Sequence, residues 1–500
     1  MKFIPALAVC LALVSLCGVA NAQEIPDFRL PSKTFFDANT KFQKDRKVFA
    51  WYMVCCGPFG GNEQPKPKLI AQYKAEIQMA QSMGIDGFGL DIMQPNAVYH
   101  AAVDAMFDAA KELNTGFKLF LECDYGKPDA ADYINLMKTY SKHPNYFQVK
   151  GRPLLCVYAA DCILPKPADS VAWWRDQVVE PLKKQGVDAY FVPGTFHKFG
   201  NSPADAGGWQ NLDADVAGWG DVADGHSAWQ IQLSPIGGGI GALERFADAS
   251  QKAKKTWMST VSTHYWVGAY FSLPSWHWVL GEPLKADNSN RNGTYFEHAG
   301  GKGLDAQWSS IINVQHPEWV MLLTWNDYNE SYMEPIDDYK KYKNGTLQSA
   351  HLGWYKPQAG IGELNRYYVQ WYKTGSRPKI TADSIFYAYV TQSYKLKASK
   401  DPRPGVGWGN PPANDSLYVT TALTAPAQLK VVSGATATSY DVAAGITHTV
   451  VPFEPGKQSF SLWRNGVQIN SLEGEPVVDK IDFYDYYPTT GYVETPVGKK

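Results

Sequence analysis

Residues 85–124 read IDGFGLDIMQPNAVYHAAVDAMFDAAKELNTGFKLFLECD, and this stretch decides the fold. IDGFGLDI (85–92) is a short apolar run bounded by turn residues, a strand ending on Asp91. AAVDAMFDAAKELN (101–114) has the apolar spacing of a helix, and FKLFLECD (117–124) is a second strand, ending on Asp124. Strand, helix, strand is the repeating unit of a parallel sheet.

The same alternation runs outward in both directions. KVFAWYMV (47–54) is a strand ahead of the helical KLIAQYKAEIQMAQSMG (68–84), which stops at Gly84. RPLLCVYA (152–159), AYFVPGTF (189–196), ADVAGWG (214–220), TWMSTVSTHY (256–265) and WVMLLTWND (319–327) follow, giving eight strand candidates. Eight repeats predict a (β/α)8 TIM-type barrel, whose active site lies at the C-terminal ends of the strands. Asp91, Asp124, Trp219, His264 and Asp327 all fall at predicted strand ends. Near residue 400 the pattern changes: KASKDPRPGVGWGNPPAND (397–415) is a Pro/Gly-rich connector. Short alternating segments then predict a small C-terminal antiparallel β-sandwich, which either binds glycan or covers one flank of the barrel. The expected divisions are a signal peptide at 1–22, the barrel at 23–400 and the sandwich at 401–500.

The first 22 residues carry Lys2, an apolar run from Phe3 to Val19 and the small-residue site Ala20-Asn21-Ala22. That is the pattern of a secretory signal peptide cleaved after Ala22, so a secreted or periplasmic protein is expected. The apolar run is too short for a membrane anchor. A formal net charge of −2 with only 19% charged residues presents no basic face for nucleic acid. Nothing suggests a protein partner, and a monomer is expected. Aromatic residues form 14% of the chain, including 17 Trp and 29 Tyr, an excess that fits sugar stacking or ordinary core packing. Beyond the leader stand Cys55, Cys56, Cys123, Cys156 and Cys162, an odd number, with Cys156 and Cys162 close enough in sequence to pair. The ten histidines lack metal-ligand spacing, GGGIG (237–241) lacks the flanks of a phosphate loop, and no cofactor or metal is expected.

MLLTWNDYNES (321–331) ends the last predicted strand with Asp327 and Glu330 three positions apart, framed by Trp325 and Tyr328. Glycosidic cleavage needs one carboxylic acid to protonate the leaving oxygen and one carboxylate on the opposite face, about 6.5–9.5 Å away when the configuration inverts. Adjacent aromatic rings would exclude water and raise one carboxyl pKa. The plainer reading is that Asp327 and Asn329 shape a turn and Glu330 is a surface charge. No G-x-S-x-G elbow supports a hydroxyl nucleophile.

TWNDYNES (324–331) resembles the TWNDYGES signature of glycoside hydrolase family 71, the α-1,3-glucanases or mutanases. VFAWYMV, GIDGFGLDI, GFKLFLECD, YFVPGTF and DVAGWG resemble that family's strands in order, and AHLGWYKPQAGIGELNRYYVQWYKTGSRPKIT (350–381) resembles the end of its catalytic domain. The resemblance runs over 47–395, with the tail from about 402 outside it. It implies a secreted endo-acting hydrolase of an α-linked polysaccharide, α-1,3-glucan above all, with an endo-α-mannan hydrolase on the same scaffold or a non-catalytic glycan-binding protein as alternatives. It also implies Asp327 and Glu330 as the acid pair, Glu330 the proton donor and Asp327 the base, giving inversion. The related endo-α-mannosidase family has an equivalent pair. Tyr52, Asp91, Asp124, Trp219, His264, Tyr265, Trp325, Asn326, Tyr328 and His351 become the substrate-binding positions. Departures are Asn329 in place of Gly, Tyr332 in place of His, and distinctive loops at 53–67 and 286–303.

Overall fold

The computed structural model describes residues 29–31, 33–38, 41–55, 64–93, 96–124, 129–164, 166–195, 212–229, 234–235, 238–267, 293–328, 330–336, 356–400, 405–410 and 415–496. The signal peptide and His351 lie outside the described residues. Eight parallel strands, β1 (Lys47–Met53), β2 (Gly87–Ile92), β3 (Lys118–Cys123), β4 (Arg152–Val157), β5 (Tyr190–Thr195), β6 (Gly225–Ala228), β7 (Thr256–Ser262) and β8 (Trp319–Leu323), pair in sequence. The sheet closes where β1 meets β8, Lys47 opposite Trp319 and Ala50 opposite Leu322. Between and after them run α1 (Lys66–Ser82), α2 (Ala97–Leu113), α3 (Ala130–Tyr140), α4 (167–184, with a π turn at Trp174–Val179), α5 (Leu212–Trp219), α6 (Gly239–Lys252), α7 (Gly300–Ser310) and α8 (Ala359–Thr374). The expected (β/α)8 barrel is the observed one.

Strands buried on both faces read as apolar runs, and β2 is buried at every position of GFGLDI. Alternation still sorts the side chains. Phe49 and Phe120 meet in the barrel interior with ring centroids 5.0 Å apart. Tyr52, of the opposite parity to Phe49, packs outward on Phe88 and on Tyr73 of α1. Helix ends follow local chemistry. Gly84 takes φ +84° after α1, letting Ile85 N–H reach the Ala80 carbonyl at 3.1 Å. Asn96 caps α2 by accepting from Val98 and Tyr99 N–H, a contribution of about 1 kcal/mol.

One expected strand is a helix. Residues 214–220 lie largely in α5, and the sixth barrel strand is the four-residue GHSA of β6. Asp213 and Asp215 in the first turn favour a helix N-terminus, and Val216 is the lone β-branched residue of LDADVAGW. Trp219 therefore sits on a helix, its ring 6.0 Å from that of Phe191, and not at a strand end. Cys156 is a buried thiol in β4 and forms no disulfide with Cys162, although the two are close enough in sequence to pair.

The C-terminal region is a two-sheet antiparallel sandwich. One sheet orders Gly445–Pro452, Ser416–Leu423, Ala382–Tyr389 and Thr489–Pro496. The other orders Thr436–Val442, Ala427–Ser433, Gly456–Arg464 and Val467–Val477. Inward alternation places Leu417, Val419, Leu429, Val431, Phe460 and Leu462 in its core. The strand Ala382–Tyr389 comes before the Pro/Gly-rich connector, so the first sheet spans both sides of residue 401.

Candidate active site

Beyond β8 the chain turns back on itself in a small hairpin, with Asn326 opposite Tyr332 and Asp327 opposite Ser331. Local hydrogen bonds fix it. The Thr324 hydroxyl accepts from Asp327 N–H (2.7 Å) and donates to the Ser331 carbonyl (2.5 Å). Glu330 N–H closes the turn onto the Asp327 carbonyl (3.1 Å). The Asn326 amide clamps the hairpin to the end of β1, accepting from Met53 N–H (2.7 Å) and donating to its carbonyl (3.1 Å). Trp325 N–H donates to the Trp51 carbonyl (2.7 Å), and its indole N–H donates to Glu76 of α1 (2.5 Å). The hairpin is thus held from the barrel on one side and from the helix layer on the other.

Five carboxyl groups meet at this end of the barrel: Asp91, Glu122, Asp124, Asp327 and Glu330. In the β2–β3 register Asp91 lies opposite Glu122. Burial holds Glu330 well above its ordinary range, and Asp327 and then Asp124 add repulsion. A hydrogen bond from the Tyr265 hydroxyl opposes this shift. Burial also raises Asp91 well above the usual carboxylate range, aided by Asp124, Glu122 and Asp327 and opposed by the Trp51 indole N–H, 2.9 Å from its Oδ2. The other oxygen of Asp91, Oδ1, is buried and has no hydrogen-bond partner among the described residues. Burial raises Asp124 to about 7. Glu122 rises well above its range by burial, while the Cys156 thiol donates to it. Groups this close in a dry site cannot all ionise, so some of these carboxyls are neutral acids at neutral pH.

Aromatic rings border the cluster. Trp51, Tyr158 and Trp229 pack edge to face, with centroids 4.6 Å apart for Trp51 and Trp229 and 5.4 Å for Tyr158 and Trp229. Tyr158 feels the charges of Asp124 and Glu330. Among the described residues no group of three or more His, Cys, Asp or Glu side chains is arranged to hold a metal ion.

The described residues expected to bind substrate do not share one location. Asp91, Asp124, Tyr265 and the acid pair converge at the mouth. His264 lies just behind it, buried, with Nε2 accepting from Tyr332 N–H (3.4 Å) and Nδ1 beside the Thr263 hydroxyl (3.1 Å). Burial lowers its pKa to about 3, so the ring is neutral. Asn326 acts on backbone, not on the mouth. Tyr52, Trp219 and Trp325 are buried in the layer between strands and helices, away from the carboxyls. Tyr328 is also buried, its ring 5.5 Å from Tyr332 and its hydroxyl donating to Glu334. Sequence reasoning passed over Glu122, Trp51, Tyr158 and Trp229. Period-two alternation exposes one of them, because Glu122 and Asp124 share the interior face of β3.

A parallel barrel with carboxyl groups gathered at its C-terminal mouth, framed by aromatic rings, is the architecture of a glycoside hydrolase. The chain belongs to glycosyl hydrolase family 71, whose family model matches residues 44–499. That match includes the sandwich, so the likeness does not stop near residue 395 as the motifs alone suggested. Curated relatives include a glucan endo-1,3-alpha-glucosidase of Schizosaccharomyces pombe, 25% identical over 462 residues, 89% of this chain and 94% of that protein. A mutanase of Penicillium rubens is 26% identical over 466 residues, 91% of this chain and 90% of that one. Among solved structures, a GH99 endo-alpha-mannosidase from Bacteroides thetaiotaomicron is similar with a TM-score of 0.44 and 13% identity, over 66% of this chain and 98% of that one. No helix among the described residues is long and apolar enough to cross a membrane.

Proposed function

We propose that this family 71 hydrolase is exported and cleaves α-1,3-glucan within the chain, with inversion at the anomeric carbon. One observation carries the assignment of roles: Asp327 and Glu330 occupy a single hairpin turn at the barrel mouth, where the Glu330 carboxyl is buried beside Asp327 and held by Tyr265. A group disposed to keep its proton is the natural donor, so Glu330 protonates the glycosidic oxygen as the C1–O bond breaks. Asp327 accepts a proton from the attacking water, whose oxygen bonds to C1 from the opposite face. After turnover Asp327 carries the proton and Glu330 is ionised, and exchange with solvent restores both. Asp91 and Asp124 bind sugar hydroxyls, and Trp51, Tyr158 and Trp229 stack against the sugar rings. The relatives named glucan endo-1,3-alpha-glucosidase and mutanase support the choice of linkage.

Incubation of the purified protein with insoluble α-1,3-glucan tests this reading. Release of soluble oligosaccharides of mixed length supports endo cleavage. Release from α-mannan alone would move the activity to mannan, and binding without any new reducing ends would leave a glycan-binding protein.

A further inference from the structure

The acid turn is gripped from outside the barrel. Between the sandwich strands Val467–Val477 and Thr489–Pro496 the chain returns to the barrel mouth, carrying Tyr486 and Tyr487, both fully buried. Tyr486 packs edge-on against Trp266, with centroids 4.7 Å apart. Trp266 N–H donates to the Glu330 carbonyl (3.0 Å), and the residue before it, Tyr265, donates its hydroxyl to the Glu330 carboxyl. Tyr487 lies on the other side, 5.6 Å from the Tyr332 ring and 5.9 Å from that of His264. Tyr332 is the hairpin residue paired with Asn326, and its N–H meets His264. Two consecutive residues therefore touch the strand Tyr265–Val267, which hydrogen-bonds Glu330, and the hairpin strand Ser331–Tyr332, which follows it.

The segment is itself anchored. Gln358 Nε2 donates to the Pro488 carbonyl (3.0 Å) and Thr490 N–H to that of Pro357 (3.1 Å). Lys356 N–H reaches the Tyr332 hydroxyl (2.6 Å) while its ammonium pairs with Glu475 (2.9 Å). Gly360 of α8 and Gly491 approach so closely that a Cβ on Gly360 would sit 2.6 Å from the Gly491 carbonyl oxygen. A joint packed this tightly transmits position, because close-packed interiors yield little.

We propose that Tyr486 and Tyr487 are positioning residues for the acid pair, acting through Trp266 on Glu330 and through Tyr332 and His264 on the hairpin. The sandwich is then part of the catalytic unit and not a detachable glycan-binding module. This inference rests on the assignment of Asp327 and Glu330 as the acid pair.

The test uses the full-length protein with Tyr486→Ala, Tyr487→Ala and the corresponding Phe variants. Three quantities are read: melting temperature, kcat and KM on α-1,3-glucan, and the titration of Glu330 followed by carboxyl 13C NMR, its signal identified by its loss in Glu330→Gln. The Ala variants are expected to lose kcat by about 10²-fold with KM unchanged, the scale of a small misplacement. Their Glu330 titration should move down toward the ordinary carboxylate range as water enters beside Asp327, Asp124, Tyr265 and Tyr158. The Phe variants should restore both. Should an Ala variant fail to fold, Tyr→Leu at the same position is read in the same way. Folded variants with wild-type kcat and an unmoved Glu330 titration overturn the proposal. If the wild type does not cleave the glucan, the substrate reading fails, and the NMR titration alone still decides the inference.

Discussion

The Tyr265 hydroxyl donates a hydrogen bond to the Glu330 carboxyl and favours its ionised form, against the burial and the Asp327 charge that favour the neutral one. Removing the hydroxyl leaves only the raising influences. Tyr265→Phe should therefore shift the alkaline limb of the kcat profile, where the proton donor ionises, to higher pH. A limb that moves to lower pH would mean that Glu330 is not the donor.

The carboxyl cluster also ties stability to pH. Asp124 rises from an ordinary 3.8 to about 7 in the folded protein, and Asp91, Glu122 and Glu330 rise well above their usual ranges. The folded state then binds more protons than the unfolded chain, so unfolding free energy falls as pH rises. For Asp124 the contribution is complete below about 3.8 and is lost as pH climbs through about 7. Thermal unfolding followed between pH 5 and pH 8 should show the melting temperature declining, and Asp124→Asn should flatten that decline.

At the opposite end of the barrel, a partly buried ion pair should govern folding alone. Lys373 of α8 bonds Asp86 (2.8 Å) and the Gly84 carbonyl (3.1 Å), while Asp86 also accepts from Val48 N–H (2.9 Å). Lys373→Met strands the carboxylate. We expect a loss of about 2–3 kcal/mol by urea titration, short of the full cost of a broken buried pair because Asp86 keeps some contact with water. The kcat of the folded variant should match wild type, since the mouth lies at the other end of the strands.

What could be read from the sequence, and what could not, follows from how each signal arises. The acids at the C-terminal ends of β2, β3 and β8 were visible because an apolar run that ends on Asp is conspicuous. β6 was invisible: GHSA is four residues with no β-branched side chain and no Phe, Tyr or Trp, whereas the nearby DVAGWG mimics a strand with one Val and one Trp. Tyr52 and Trp325 attracted attention as aromatics beside the motifs, but alternation turns them toward α1, and Trp51 is the residue that reaches Asp91. Glu122 was concealed inside a buried run, where a charged residue reads as an interruption. The role of Tyr486 and Tyr487 depends on a chain return across more than 150 residues, which local pattern does not encode.

With Glu330 as acid and Asp327 as base, hydrolysis inverts the anomeric configuration. The most direct measurement is 1H NMR of the first products released from α-1,3-glucan, with Asp327→Asn and Glu330→Gln run beside the wild type. β-Anomeric ends should appear first and relax to the equilibrium mixture, and each variant should lose about 10²–10⁴-fold in kcat. First products with α-anomeric ends, or a variant that keeps wild-type kcat, would contradict it.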